Sequence, residues 1–146
     1  MKRFRYVPHT ADVAFVAYGR NAEEAVENAA LATLNVMLDI KKISRSDVTT
    51  HHISIREKAN DLNSLVWYTL QHILSKVDER KLNAYAFNVL SISTSGKKGQ
   101  MRLEGKLEFK DLKEDASLLE VKAVTPHDLR VEKKRGLWYI RVLLDV

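Results

Sequence analysis

Residues 61–77 read DLNSLVWYTLQHILSKV, and the apolar residues of this stretch recur at helical spacing. Together they would cover one broad face of a helix: Leu62, Leu65, Val66, Thr69, Leu70, Ile73 and Val77. Asp61 stands just before them, where its side-chain oxygen can accept hydrogen bonds from unpaired backbone amides. The pattern predicts a capped, well-buried helix that must pack against other elements.

A second helical pattern begins at Ala22 and ends near Asp39. Asn21 followed by Glu24 resembles an N-cap residue with its capping-box partner. The apolar or small residues recur on one side of the helix: Val26, Ala29, Thr33 and Met37. The adjoining alanines would allow this helix to pack closely against a sheet.

Most of the remaining chain alternates between apolar and polar residues, as strands do. Phe4 and Tyr6 share one face of a first strand that ends at Pro8, with Arg3 and Arg5 on the other. Further strands are expected at residues 13–18, 48–56, 85–94, 101–110, 119–125 and 137–144, with a hairpin turn at 96–99. We therefore predict an α+β fold with two main amphipathic helices packed against a mostly antiparallel sheet of about seven or eight strands.

Length and composition narrow the class of protein. A chain of 146 residues with 45% hydrophobic content fits one domain spanning residues 1–146, and no linker divides it. Its apolar runs are shorter than the roughly 18 to 20 residues of a membrane span, and the start lacks a signal-peptide core. We expect a cytoplasmic protein without a membrane partner.

The residue types exclude several kinds of site. The chain has no cysteine, so a metal would be held by oxygen or histidine ligands rather than thiolates. It lacks the nucleophile-elbow, zinc-protease and P-loop motifs. The net charge of +5 and pI of 9.4 would ease approach to RNA or to an acidic protein, but no ribonucleoprotein motif accompanies them.

Acidic groups occur near both ends of the chain. Residues 9–12 read HTAD, and the chain closes with an apolar run followed by Asp145 and Val146. Asp12, Asp145 and the terminal carboxylate of Val146 could converge on one calcium or magnesium ion, with water filling the remaining positions. The alternative for residues 9–12 is a turn stabilised by an Asx-type hydrogen bond.

A second group of ionisable residues lies at 120–129. Lys122 could contact a phosphate or a partner's carboxylate, and His127 could bind metal or relay a proton. Glu120 would share a strand face with Lys122. A solvated lysine and a turn histidine are the simpler alternatives.

Taken in order, these segments resemble the archease family along essentially the whole chain. The matching segments are HTADV at 9–13, AYG at 17–19, AEEA at 22–25, DL at 61–62, LVWYTL at 65–70, EVKAVT at 120–125 and LLDV at 143–146. The resemblance implies an accessory protein, not an enzyme, that activates the RtcB-type tRNA-splicing ligase. Such a protein promotes guanylylation and multiple turnover of the ligase and broadens its use of nucleotides.

The resemblance also implies roles for individual residues. It assigns Asp12, Asp145 and Val146 as ligands of a divalent cation, with calcium as the first choice and magnesium or manganese as alternatives. It assigns Lys122 to ligase activation. His9 and Glu120, in matching segments, and His127, two residues beyond one of them, are further candidates. Pro126 departs from the family pattern, in which an aromatic residue usually follows the threonine, and this weakens a role for the adjacent histidine.

Two other functions remain open at this point. One is a metal-dependent hydrolase acting by itself on a phosphorylated substrate, with the ion activating water. The other is a basic RNA-binding or RNA-chaperone module, which would show steeply salt-dependent binding to RNA. For the ligase activator, contact with RNA is expected to be weak or indirect.

Overall fold

The computed structural model describes residues 2–9, 12–94 and 99–146, which form three helices and seven strands. In chain order these are β1 Phe4–Val7, β2 Val13–Gly19, α1 Ala22–Met37, α2 Ile40–Arg45, β3 Thr50–Ala59, α3 Leu62–Arg80, β4 Asn83–Thr94, β5 Met101–Lys110, β6 Ala123–Lys134 and β7 Leu137–Asp145. The strands form two sheets, a first sheet in the order β1-β2-β7-β6 and a second in the order β3-β5-β4, and every pairing within them is antiparallel. The predicted α+β fold is confirmed.

Helix α3 is the helix predicted from residues 61–77. Asp61 Oδ1 accepts a hydrogen bond of 2.7 Å from the backbone N–H of Ser64, as an N-cap residue does. Leu65, Leu70 and Ile73 are completely buried, and burying such side chains stabilises the fold by roughly 1.5–3 kcal/mol each. The helix packs against β3 of the second sheet and β6 of the first.

Helix α1 begins with half of the predicted capping box. Asn21 Oδ1 accepts from the backbone N–H of Glu24 at 2.8 Å. The Glu24 carboxylate reaches one residue further back than expected, because it accepts from the backbone N–H and the guanidinium of Arg20. Ala25, Ala29, Ala30 and Ala32 of α1 are completely buried, and the helix packs against β2 and β4, so that it contacts both sheets.

The first sheet has one face turned towards α1. Tyr6 on β1 donates a hydrogen bond of 2.8 Å to the carbonyl of Ala32 in α1, and burial raises the pKa of this tyrosine. Its neighbours in the sheet on that face, Phe15 and Val142, are completely buried. The side chains of Arg3 and Arg5 are exposed, which agrees with the predicted alternation along β1.

Two parts of the chain differ from the sequence-based expectation. The short helix α2, with Asp39 as its N-cap, follows α1 directly and was not predicted. The prediction of a strand at residues 119–125 is wrong for its first residues. Residues 118–122 lie outside the strands, and β6 runs from Ala123 to Lys134.

Strand β6 tolerates Pro126 because it lies at the edge of the first sheet. Thr125 pairs with Leu143 and Arg130 with Arg141, so the pairing register shifts between these positions. The irregularity accommodates a proline that has no backbone N–H to donate. The expected turn at residues 96–99 lies almost entirely outside the described residues.

Side chains of α3 form hydrogen bonds with backbone groups on the outer edge of β6. Trp67 Nε1 donates to the carbonyl of Val124 at 2.7 Å, and the N–H of Val124 donates to Gln71 Oε1 at 3.0 Å. These two bonds fix the start of β6 against the helix. No helix among the described residues is long and apolar enough to cross a membrane.

Candidate functional site

Pairing of β2 with β7 brings together the carboxylates from the two ends of the sequence. Val13 pairs with Leu144 at the end of the ladder, so Asp12 and Asp145 both adjoin this last pair, and they would face each other if the register continued by one residue. Residues opposite one another in an antiparallel pair share a face, with Cβ atoms about 4.5–5.5 Å apart. The register therefore supports the proximity that spacing in the sequence alone could not establish.

His9 lies on the other side of Asp12. Its Nδ1 atom is 3.9 Å from Asp12 Oδ2, and the two side chains are 34% and 27% exposed. The contact joins the end of β1 to the beginning of β2, across residues 10 and 11, which lie outside the described part of the chain. A partly exposed imidazole beside a carboxylate can donate a hydrogen bond to it or accept a proton.

Lys122 lies beside Asp145 on the side of β6. Its backbone N–H donates to the carbonyl oxygen of Asp145 at 2.7 Å, and Ala123 pairs with Asp145 in the β6–β7 ladder. The side chain of Lys122 is exposed. The backbone of Lys122 therefore lies next to Asp145, whereas Ala123 is the residue that pairs with Asp145 and shares its face.

The chain terminus belongs to the same edge of the sheet. Val146 follows β7 directly and packs against the hydrophobic core, which holds its main chain next to Asp145. The strand Leu137–Asp145 is itself anchored by the buried residues Ile140, Val142 and Leu144. A hydrophobic final strand thus presents one aspartate and the terminal carboxylate at its end.

The other two candidates, Glu120 and His127, lie apart from His9, Asp12 and Asp145. Glu120 is exposed and lines a surface hollow of about 610 Å³, together with Leu118, Leu119 and the C-terminal turn of α3. His127 is exposed in the irregular part of β6, four residues beyond the position that pairs with Asp145. The register therefore does not bring His127 into the row of His9, Asp12 and Asp145.

The donor set at this edge has the chemistry of a site for a hard cation. Two aspartates and a terminal carboxylate offer oxygen ligands of the kind that calcium, magnesium and manganese bind. Among the described residues, no group of three or more histidine, aspartate or glutamate side chains is arranged to hold a metal. The predicted set contains only two such side chains besides the terminus, so the metal site stays a prediction.

Known proteins identify the family of this chain. The model of the archease protein family matches residues 4–146. The chain belongs to the archease family. The protein archease of Methanosarcina barkeri is 35% identical over 145 residues, covering 99% of this chain and 97% of that one, and the protein archease of Sulfolobus acidocaldarius is 34% identical over 149 residues, covering all of both.

Solved structures agree with the archease fold. The solution structure of Methanobacterium thermoautotrophicum protein 1598 superposes with a TM-score of 0.80 at 29% identity over the whole of both chains. The crystal structure of a Thermotoga maritima archease, described as a possible chaperone, gives a TM-score of 0.58 at 19% identity and covers 96% of this chain and 94% of that one. At that identity the Thermotoga archease supports the fold alone.

Sequence reasoning missed one feature near the candidate site. Arg130 and Arg141, with Tyr18 and Tyr139, lie on the same face of the first sheet as Asp145. The signal was available in the alternation along β7, where the odd-numbered residues from 137 to 145 share this face. It could not be used without the pairing of β7 with β2 and β6.

Proposed function

We propose that this archease-family chain activates an RtcB-type tRNA-splicing ligase by promoting its guanylylation and multiple turnover. The GTP-consuming active site belongs to the ligase, and this chain acts as a protein cofactor. The observation that supports the proposal most is the pairing of β2 with β7, because Asp12 and Asp145 both adjoin its last residue pair and the backbone of Lys122 bonds to Asp145. Two motifs from opposite ends of the sequence meet there, as expected if they serve one function.

We further propose that Asp12, Asp145 and the terminal carboxylate of Val146 hold a divalent cation, calcium first and magnesium or manganese as alternatives. The ion would supply positive charge that two neighbouring carboxylates otherwise lack. Without a cation, facing carboxylates on adjacent strands repel each other. Loading of the site is therefore expected to tighten the end of β7 against β2.

Lys122 is the residue through which this edge would act on the ligase. Its ammonium group is exposed and can donate to a phosphate or to a carboxylate of a partner. His9, next to Asp12, would complete this contact surface. Binding at this edge would favour the ligase conformation that accepts the nucleotide, because a partner shifts an equilibrium towards the state that it binds better.

The test is multiple-turnover RNA joining by the cognate ligase with the ligase held well below the RNA concentration. We expect the reaction to stop near one turnover without this chain and to continue with catalytic amounts of it. The same yield with and without the chain, with calcium, magnesium and manganese each supplied, would contradict the proposal. Hydrolysis of a phosphorylated substrate by the chain alone would instead favour the stand-alone enzyme.

A further inference from the structure

The outer face of the first sheet, opposite the helices, carries a row of arginines. Arg5 on β1 pairs with Val16 on β2, Val16 pairs with Arg141 on β7, and Arg141 pairs with Arg130 on β6. Side chains at paired positions lie on the same face, and neighbouring strands are about 4.8 Å apart. All three arginines are exposed, so one line across the sheet presents three guanidinium groups to solvent.

The adjacent row carries a pair of tyrosines. Tyr18 on β2 pairs with Tyr139 on β7, and their rings meet edge to face with centroids 5.4 Å apart. Arg5 Nε donates a hydrogen bond of 2.7 Å to the hydroxyl of Tyr18, which fixes one member of the arginine row against the tyrosine row. Arg3 continues the tyrosine row on β1, since its carbonyl accepts from the N–H of Tyr18.

This face is positively charged, and part of it forms a hollow. A hollow of about 450 Å³ is lined by Val16, Arg130, Glu132, Lys134, Tyr139 and Arg141. Glu132 is the one carboxylate in that lining and pairs with Lys134 at 3.0 Å. The hydrogen bond from Lys134 lowers the pKa of Glu132, so these two charges offset each other and the arginines determine the sign of the face.

We propose that this outer face, defined by Arg3, Arg5, Tyr18, Arg130, Tyr139 and Arg141, binds single-stranded RNA. Arginine forks match the geometry of phosphate oxygens, and tyrosines give unpaired bases a surface on which to stack. Basic side chains that follow the phosphates, together with aromatic side chains that stack on the bases, are the combination used by proteins that bind single strands. Asp145 lies four positions along β7 from Arg141, about 13 Å, so the arginine row is distinct from the carboxylate edge.

The test uses fluorescence anisotropy of a labelled single-stranded RNA of about 15 nucleotides with the isolated chain, which makes it independent of ligase activation. One variant carries Arg5→Gln, Arg130→Gln and Arg141→Gln. A matched control carries Arg45→Gln, Arg80→Gln and Arg102→Gln, three exposed arginines elsewhere on the chain. Both variants lose the same charge, so any difference between them reports position on the surface.

We expect the face variant to bind at least tenfold more weakly and the control less than about twofold. The dependence of log K on log salt should become shallower by about two in the face variant, because single strands contribute about 0.7 per neutralised phosphate. Tyr139→Leu should weaken binding to the single strand several-fold and leave binding to a duplex RNA of the same length unchanged. Equal losses of RNA affinity in the face and control variants would overturn the proposal. No measurable RNA binding by the wild type would overturn it as well.

Discussion

At the scale of single residues, the candidate site depends on the last residue of the chain as much as on aspartates. Val146 packs against the core and Asp145 is exposed beside it, so the terminal carboxylate is held close to a side-chain carboxylate. Sequence analysis could single out Asp12, Asp145 and Val146 because hard oxygen groups stand out after an apolar run. It could not show that β2 pairs with β7, and this pairing is what supports their proximity.

This arrangement predicts that the chain tolerates additions at its start but not at its end. A short glycine-serine extension after Val146 should weaken calcium binding at least tenfold, because it converts the terminal carboxylate into an amide. The same extension placed before Met1 is the control and should leave affinity unchanged. Isothermal titration with calcium measures both, and equal affinities would remove Val146 from the proposed ligand set.

Gly105 shows another limit of residue-level prediction. Its place on the inward face of β5 was evident from the alternation of Met101, Leu103, Leu107 and Phe109. The reason for a glycine there was not, because an added Cβ would lie 2.4 Å from Cζ of Phe87 on β4. Contacts between neighbouring strands determine which positions need a glycine. The residue pattern of a single strand does not show these contacts.

At the scale of elements, the sequence predicted the parts with a strong period and failed where the chain is irregular. Helix α3 and strand β5 have the expected positions because their apolar periods run without interruption. Strand β6 was misplaced because Pro126 and the polar residues after it resemble a break. The strand continues past them because α3 and β7 hold its two sides.

The contact of α3 with β6 therefore predicts a measurable loss when its side chains are changed. Trp67→Phe removes the donor to the Val124 carbonyl, and Gln71→Leu removes the acceptor from the Val124 N–H. Each should lower the free energy of unfolding by about 1 kcal/mol, since a buried backbone group loses its partner. Urea denaturation measures the loss, with Glu79→Gln, an exposed position near the end of α3, as the control.

Hydrogen exchange gives an independent readout of the same contact. The amide of Val124 should exchange faster in Gln71→Leu than in the wild type, while amides within β5 remain protected. Unchanged exchange at Val124 together with unchanged stability would mean that β7 alone orders the start of β6.

At the scale of the whole molecule, two sheets share a pair of helices, and the first sheet carries both proposed surfaces. One end of this sheet bears the carboxylates and Lys122, and its outer face bears the arginines and tyrosines. The sequence predicted the α+β class and, by resemblance, the archease family, while activation of the ligase stays a prediction. It did not contain the strand order, which alone brings residues from the two termini together.

The measurement that tests the central claim most directly is the rate of guanylylation of the cognate ligase in the presence of this chain. We compare the wild type, an Asp12→Asn and Asp145→Asn variant, and a control with Asp47→Asn and Asp78→Asn, which changes two exposed aspartates elsewhere. We expect the wild type and the control to stimulate guanylylation. The Asp12 and Asp145 variant, while still folded, should stimulate it at least tenfold less. Equal stimulation by all three proteins would contradict it, because the carboxylate edge would then play no part in activation.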